Sequence, residues 1–82
     1  MNMYVGNLNY KVRESDLEQA FGAYGTITSV KVIKDRETNK SKGFAFVEMS
    51  NDEEAAEAMN TLNGTELMGR QLVIKEALPK KM

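Results

Sequence analysis

No cysteine and no histidine occur among the 82 residues, tryptophan is absent, and there is a single proline. Without cysteine there is no disulfide framework, and without either residue the usual zinc and haem sites are excluded. Ser–His–Asp and Cys–His catalysis fall with them, leaving only a Ser–Lys or a carboxylate pair as catalytic options. No apolar run approaches the roughly 20 residues that span a bilayer, and no signal-peptide pattern follows Met1. The expectation is a soluble, cytoplasmic protein that needs no cofactor and no metal. Its length suits one small domain, near the lower range that folds without covalent or metal staples. A hydrophobic content of 41% marks it as globular rather than disordered.

Basic residues are also missing from two long segments. Residues 14–24 carry Glu14, Asp16 and Glu18 with no base, and residues 51–66 carry Asp52, Glu53, Glu54, Glu57 and Glu66 with no base. All eleven Lys and Arg lie elsewhere, against only Asp35, Glu37, Glu48 and Glu76. A net charge of −1 therefore conceals a segregation. If the two acidic segments share one side of the fold, the other side is positive, and the field of that face matters more than the total.

Hydrophobic periodicity places the elements. Residues 2–6 read as a short strand with Met3 and Val5 on one face and Tyr4 on the other. Leu17, Ala20, Phe21 and Tyr24 follow the i, i+3, i+4, i+7 spacing of a helix. Ser15-Asp16-Leu17-Glu18 matches a capping box, with entry at Ser15 or a residue or two before, and Gly25 is the expected stop. Residues 27–34 form a second strand, with Val30 and Val32 inward and Lys31 and Ile33 opposite. The polar stretch 35–41 is a hairpin loop, and residues 42–49 are the third strand. Ser50 or Asn51 caps a second helix whose stripe is Ala55, Ala58, Met59 and Leu62, ended by Asn63-Gly64. After a short extended piece at 65–67 and a turn at Met68-Gly69, residues 70–76 are the last strand. There Leu72 and Ile74 point inward, and Gln71, Val73 and Lys75 outward. Residues 78–82 form a short basic tail.

This order is an α+β, ferredoxin-like βαββαβ sandwich, a four-stranded antiparallel sheet with two helices on one face. Each helix stripe buries against that face, which puts the acidic segments behind it. The other face has no cover. It collects Tyr4, Lys31, Ile33, Phe44, Phe46, Glu48, Gln71, Val73 and Lys75. The first and third strands are the central pair, so Tyr4, Phe44 and Phe46 come together. Rings bordered by Lys31, Arg36, Lys40, Lys42 and Lys75 suit single-stranded nucleic acid, because bases stack on rings and cations attract phosphates. Gly43 leaves backbone open beside the rings.

Lys42-Gly43-Phe44-Ala45-Phe46-Val47-Glu48 meets seven positions of the octamer Lys/Arg-Gly-Phe/Tyr-Gly/Ala-Phe-Val-x-Phe/Tyr, and Met3-Tyr4-Val5-Gly6-Asn7-Leu8 supplies the companion hexamer. On these motifs residues 2–77 resemble an RNA recognition motif (RRM) domain, and the short chain resembles small single-RRM proteins of bacteria and cyanobacteria. The resemblance implies that Tyr4 and Phe44 each stack a base, that Phe46 packs against the sugars between them, and that Lys42 contacts a phosphate. It implies loop support from Asn7. Met49 departs from the octamer's final aromatic, but alternation turns it toward the core, where Met fills space well. Leu78 departs where similar bacterial members commonly carry Arg.

The expected partner is single-stranded RNA, with single-stranded DNA left open, in a monomer engaged in post-transcriptional regulation. Neither a membrane nor a small-molecule substrate is expected. Contacts to phosphate and polar groups are expected from Lys42, Lys31, Arg36, Lys40, Lys75 and Gln71. Base identity is expected to come from the edge at Val73, Glu76, Ala77 and Leu78 and from the 34–42 loop. The alternative is a protein-interaction module of the same fold, using the sheet face or the acidic helices. An acylphosphatase-like enzyme of this topology would need an Arg-bearing glycine loop after the first strand. Asn7-Leu8-Asn9-Tyr10-Lys11 offers none. Metal carriers of this topology would need a Cys pair in that loop.

Overall fold

Alternating small, branched and aromatic residues give strands whose inward rows are mainly apolar: Met3 and Val5, Val30 and Val32, Ala45, Val47 and Met49. The computed structural model describes residues 1–77, the side chain of Ser41 apart. In chain order it contains β1 (Asn2–Gly6), α1 (Glu14–Gly22), β2 (Ile27–Lys34), β3 (Ser41–Met49), α2 (Asp52–Leu62), β4 (Glu66–Leu67), β5 (Arg70–Gln71) and β6 (Val73–Ala77). The main sheet runs β2-β3-β1-β6, antiparallel throughout, with β1 and β3 at its centre as expected. Val32, Ala45, Val5 and Ile74 stand in register across all four strands and are all buried. Leu17 and Phe21 of α1 and Ala55 and Ala58 of α2 close over this side, with Met59 and Leu62 packed at the margin. The molecule is 18 Å across its thin dimension. That accommodates one sheet and one layer of helices, each about 10 Å thick, and no third layer.

The caps follow local hydrogen bonding. Asn51 accepts from the Glu54 amide at 3.0 Å and starts α2. At α1 the N-cap is Arg13, and Asp16 reaches back to accept its amide hydrogen bond at 2.9 Å. The N-cap thus lies two residues before Ser15 and the helix starts one before it, inside the range expected. Its end differs more, since α1 stops at Gly22 rather than running to Gly25. The last turn closes on the Phe21 carbonyl, which accepts from the Tyr24 amide at 3.0 Å, and the role of Gly25 is a tertiary one. A side chain at position 25 would collide with Glu54 of α2, whose carboxylate accepts from the Thr26 amide at 3.4 Å. Gly25 makes room for a neighbouring helix instead of ending its own.

The last strand is also not continuous. Arg70–Gln71 pairs with Glu66–Leu67 in a separate ribbon, and Leu72 exchanges backbone hydrogen bonds with Thr65 and Gly64. Only from Val73 does the chain join β1. Met68 and Gly69 have φ of 53° and 83°, the left-handed pair that closes a two-residue hairpin. This local ribbon claims the backbone groups of 70–72 before they can reach the sheet. Leu72 and Ile74 still point inward and are buried, as expected. Met49 is wholly buried.

Candidate nucleic-acid interface

Register builds the open face row by row. Lys31 stands opposite Phe46, Phe46 opposite Tyr4, and Tyr4 opposite Lys75, so one line across four strands reads cation, ring, ring, cation. Phe44 completes a triangle of rings, with centroids 5.7 Å from Tyr4 and 6.2 Å from Phe46, and Tyr4 to Phe46 at 5.9 Å. The interplanar angles of 34°, 63° and 88° are tilted and edge-on, the arrangement that ring quadrupoles favour. Phe46 is 39% exposed and its two companions are half-buried against one another. The next row holds Ser29, Glu48, Asn2 and Ala77.

A bulge shapes the end of β3. Between two paired positions β2 advances from Val32 to Lys34, while β3 covers Ala45 to Ser41. Gly43 lies in that stretch with φ of +87°, a value that requires glycine in practice. Gly43 is expected to leave backbone open beside the rings, but the Tyr10 ring lies alongside it, 3.4 Å from where a Cβ would stand. Lys42 is exposed on the bulge itself. The loop beyond it is organised by Asp35, whose carboxylate accepts from the amides of Glu37 (2.8 Å) and Thr38 (3.3 Å). Those two bonds, with the positive charge of Lys42, lower the Asp35 pKa below its ordinary value of 3.8. Arg36 and Lys40 are carried on this loop, both exposed.

The β1–α1 loop is tied to the β4–β5 ribbon. Asn7 donates to the Gln71 carbonyl (2.6 Å) and accepts from Arg70 Nη2 (2.9 Å), while Asn9 donates to the Met68 carbonyl (3.1 Å). Asn7 has φ of 57°, a conformation Asn tolerates better than most residues. Gln71 therefore belongs to the ribbon rather than to the four-stranded sheet. Val73 stands opposite Gly6 and is 40% exposed, and Ala77 stands opposite Asn2. Glu76 pairs with Met3, so alternation turns it to the side that carries the helices, where it is exposed at the edge. Leu78 lies outside the described residues. Sequence reasoning missed Tyr10, which is 67% exposed, and Arg70, the partner of Asn7. The closeness of Lys11 and Arg13 to Tyr10 in the chain was a signal for the first; nothing local signalled the second.

Among the described residues no helix is long and apolar enough to cross a membrane. A sheet open on one side, with paired rings on its central strands, defines a class of nucleic-acid-binding domain. The family model described as RNA recognition motif matches residues 3–73, and the chain belongs to this family. It is 46% identical to "Putative RNA-binding protein RbpF" of the cyanobacterium Nostoc sp., over 99% of this chain and 77% of that one. The crystal structure of RNA Binding Protein PG1 superimposes with a TM-score of 0.94 at 51% identity, covering 100% and 99% of the two chains. The second RRM domain of the yeast poly(U)-binding protein does so with a TM-score of 0.87 at 33% identity, covering 99% and 98%.

Proposed function

We propose that this protein binds single-stranded RNA on the open face of its sheet, as a monomeric single domain over residues 1–77 without catalysis, in post-transcriptional regulation. The observation that carries the reading is the row Lys31–Phe46–Tyr4–Lys75, joined by Phe44, on the face opposite both helices. Tyr4 and Phe44 stack one base each and Phe46 packs against the sugars between them. Lys31, Lys42 and Lys75 meet phosphates, with Arg36 and Lys40 reaching the strand from their loop. Base identity is read at the β6 edge, at Val73 and Ala77, and by that same loop. Only a few nucleotides fit such a face, which makes for modest affinity and a steep dependence on salt. The names of the relatives, RNA-binding proteins over nearly this whole chain, support the ligand class.

The test is a titration of a randomised RNA pool against the parent and a Phe44→Ala/Phe46→Ala double variant, with folding checked by circular dichroism. Stacking is worth about 1–3 kcal/mol per base, so the variant should bind about thirtyfold more weakly or worse while staying folded. A folded variant that binds like the parent overturns the reading. So does an amide-shift response confined to the acidic helices.

A further inference from the structure

A cleft of about 920 Å³ opens on the helix side of the sheet, between the β1–α1 loop and the end of the β2–β3 hairpin. Its floor is apolar, formed by the buried Val12 and by Val32 of the helix-side row. Its rim carries Lys11, Arg13, Lys34 and Lys40 against a single acid, Glu14. Among the described residues none of these four cations is held in an ion pair. Gathering four like charges around one hollow costs self-repulsion unless an anion comes to them. The same chain carries the complementary surface. Residues 51–66 hold five acids and no base, and on α2 two of those acids are already engaged. Asp52 pairs with the amino terminus at 3.1 Å, and Glu54 accepts from the Thr26 amide at 3.4 Å. Glu53 and Glu57 are exposed, one turn apart on the outer face of α2, and among the described residues neither is in an ion pair. Like charges at that spacing repel, and a bound cation relieves the repulsion.

We infer that this cleft receives the Glu53–Glu57 face of α2 from a second copy of this chain, bound beside the first on one RNA strand. One molecule does not make the contact within itself, because α1 and the cleft lie over the edge strand β2, whereas α2 packs on β3 and β6. A contact between two different patches is head-to-tail and repeats instead of closing. An RNA strand is itself directional, so copies aligned along it all face the same way. The α1 helix of a neighbour is a poorer match, since its Glu14 sits on the rim among that neighbour's own cations. Both patches lie on the helix side, so the rings stay free for RNA. Exposed ion pairs are weak and screened by salt, which leaves the dilute protein monomeric. Two copies on one strand meet at an effective concentration of about a millimolar, and there the contact forms. The inference rests on the sheet-face reading of the proposed function for the strand that aligns the copies.

Two charge-reversed variants test the contact, Lys11→Glu/Arg13→Glu in the cleft and Glu53→Lys/Glu57→Lys on α2, each checked for folding by its thermal transition. One randomised RNA pool is just long enough for a single copy, and a second is several times longer. The short pool measures each protein's own RNA affinity and so absorbs the change in net charge. On the long pool the parent should half-saturate at about fivefold lower concentration than that affinity and the added registers predict, the gain that two or three exposed ion pairs supply. Each variant alone should lose this gain. An equimolar mixture of the two should regain it, because each reversed patch then meets its opposite on the alternating neighbour. A mixture as non-cooperative as its components refutes the contact, and so does a variant that keeps the parent's gain. Without RNA, at about a millimolar of parent protein, amides at 11–13 and 53–57 should shift together with concentration and return in high salt. Shifts at 11–13 on adding the short pool would make the cleft an RNA site. Shifts there with poly-glutamate, and none with rising protein concentration, would make it a site for a different acidic protein. Either outcome overturns the inference. Failure of the sheet face reads differently, as undiminished binding of the short pool by Phe44→Ala/Phe46→Ala, and the RNA-free shifts then decide the contact by themselves.

Discussion

The Tyr4 ring lies over the backbone of Gly6, so closely that a Cβ at position 6 would stand 2.6 Å from the phenol oxygen and 2.8 Å from the ring edge. Gly6 thus shapes the aromatic face without adding a side chain to it. It lets the ring lie along β1, within 6 Å of Phe44 and Phe46.

Gly6→Ala should therefore tilt the Tyr4 ring away from the surface and leave the strand in place. RNA affinity should fall about fivefold or more, as for one misplaced stacking partner. The Tyr4 ring resonances should move, while amide shifts in α1 and α2 stay put. Unchanged affinity would mean that the ring's resting position has no bearing on binding.

Lys31 and Lys75 sit at the two ends of the ring row, one on each edge strand. If each meets a phosphate, replacing either by Ala should reduce the slope of log K against log salt by about 0.7, the value for a single-stranded ligand. The loss should be similar across RNA sequences, because phosphates carry no base identity. A variant whose slope equals the parent's removes that lysine from the phosphate contacts.

Alternation and helical stripes were enough to divide this chain into a covered and an open face, and so to bring Tyr4, Phe44 and Phe46 together. Each of those inferences depends on neighbours within a few residues. What escaped depends on distant partners. Residues 70–72 alternate as well as any strand, and the pattern cannot say that residues 65–67 rather than β1 pair with them. Gly25 looks like a helix stop, yet it answers to Glu54, 29 residues on. The bonds from Asn7 to Arg70 and Gln71 and the contact of Tyr10 with Gly43 join loops that the sequence leaves unrelated.

Met49 offers a way to separate packing from binding. It replaces the aromatic that ends the octamer, and it is fully buried on the helix side of β3. Met49→Ala should cost about 2–5 kcal/mol in denaturant unfolding, the usual range for emptying such a site. Below the unfolding transition the same variant should bind RNA within about twofold of the parent, since 0.4 kcal/mol is near the scatter for sites without shared partners. A large affinity loss in the folded variant would show that the two faces of β3 are coupled.

The loop that carries Arg36 and Lys40 depends on the ionised form of Asp35. Its carboxylate accepts two backbone amides, so its folded pKa lies below the ordinary 3.8. A lowered folded pKa stabilises the ordered loop fully above the unfolded value, and the contribution is lost as pH falls through the lower folded value. Carboxyl NMR should find Asp35 titrating below 3.8, with the amides of Glu37 and Thr38 moving at the same midpoint. Asp35→Asn keeps an acceptor oxygen and should retain much of the loop order, whereas Asp35→Ala removes it. If Arg36 and Lys40 reach RNA from this loop, Asp35→Ala should weaken binding more than Asp35→Asn. Equal binding by the two variants would show that loop order does not set RNA affinity.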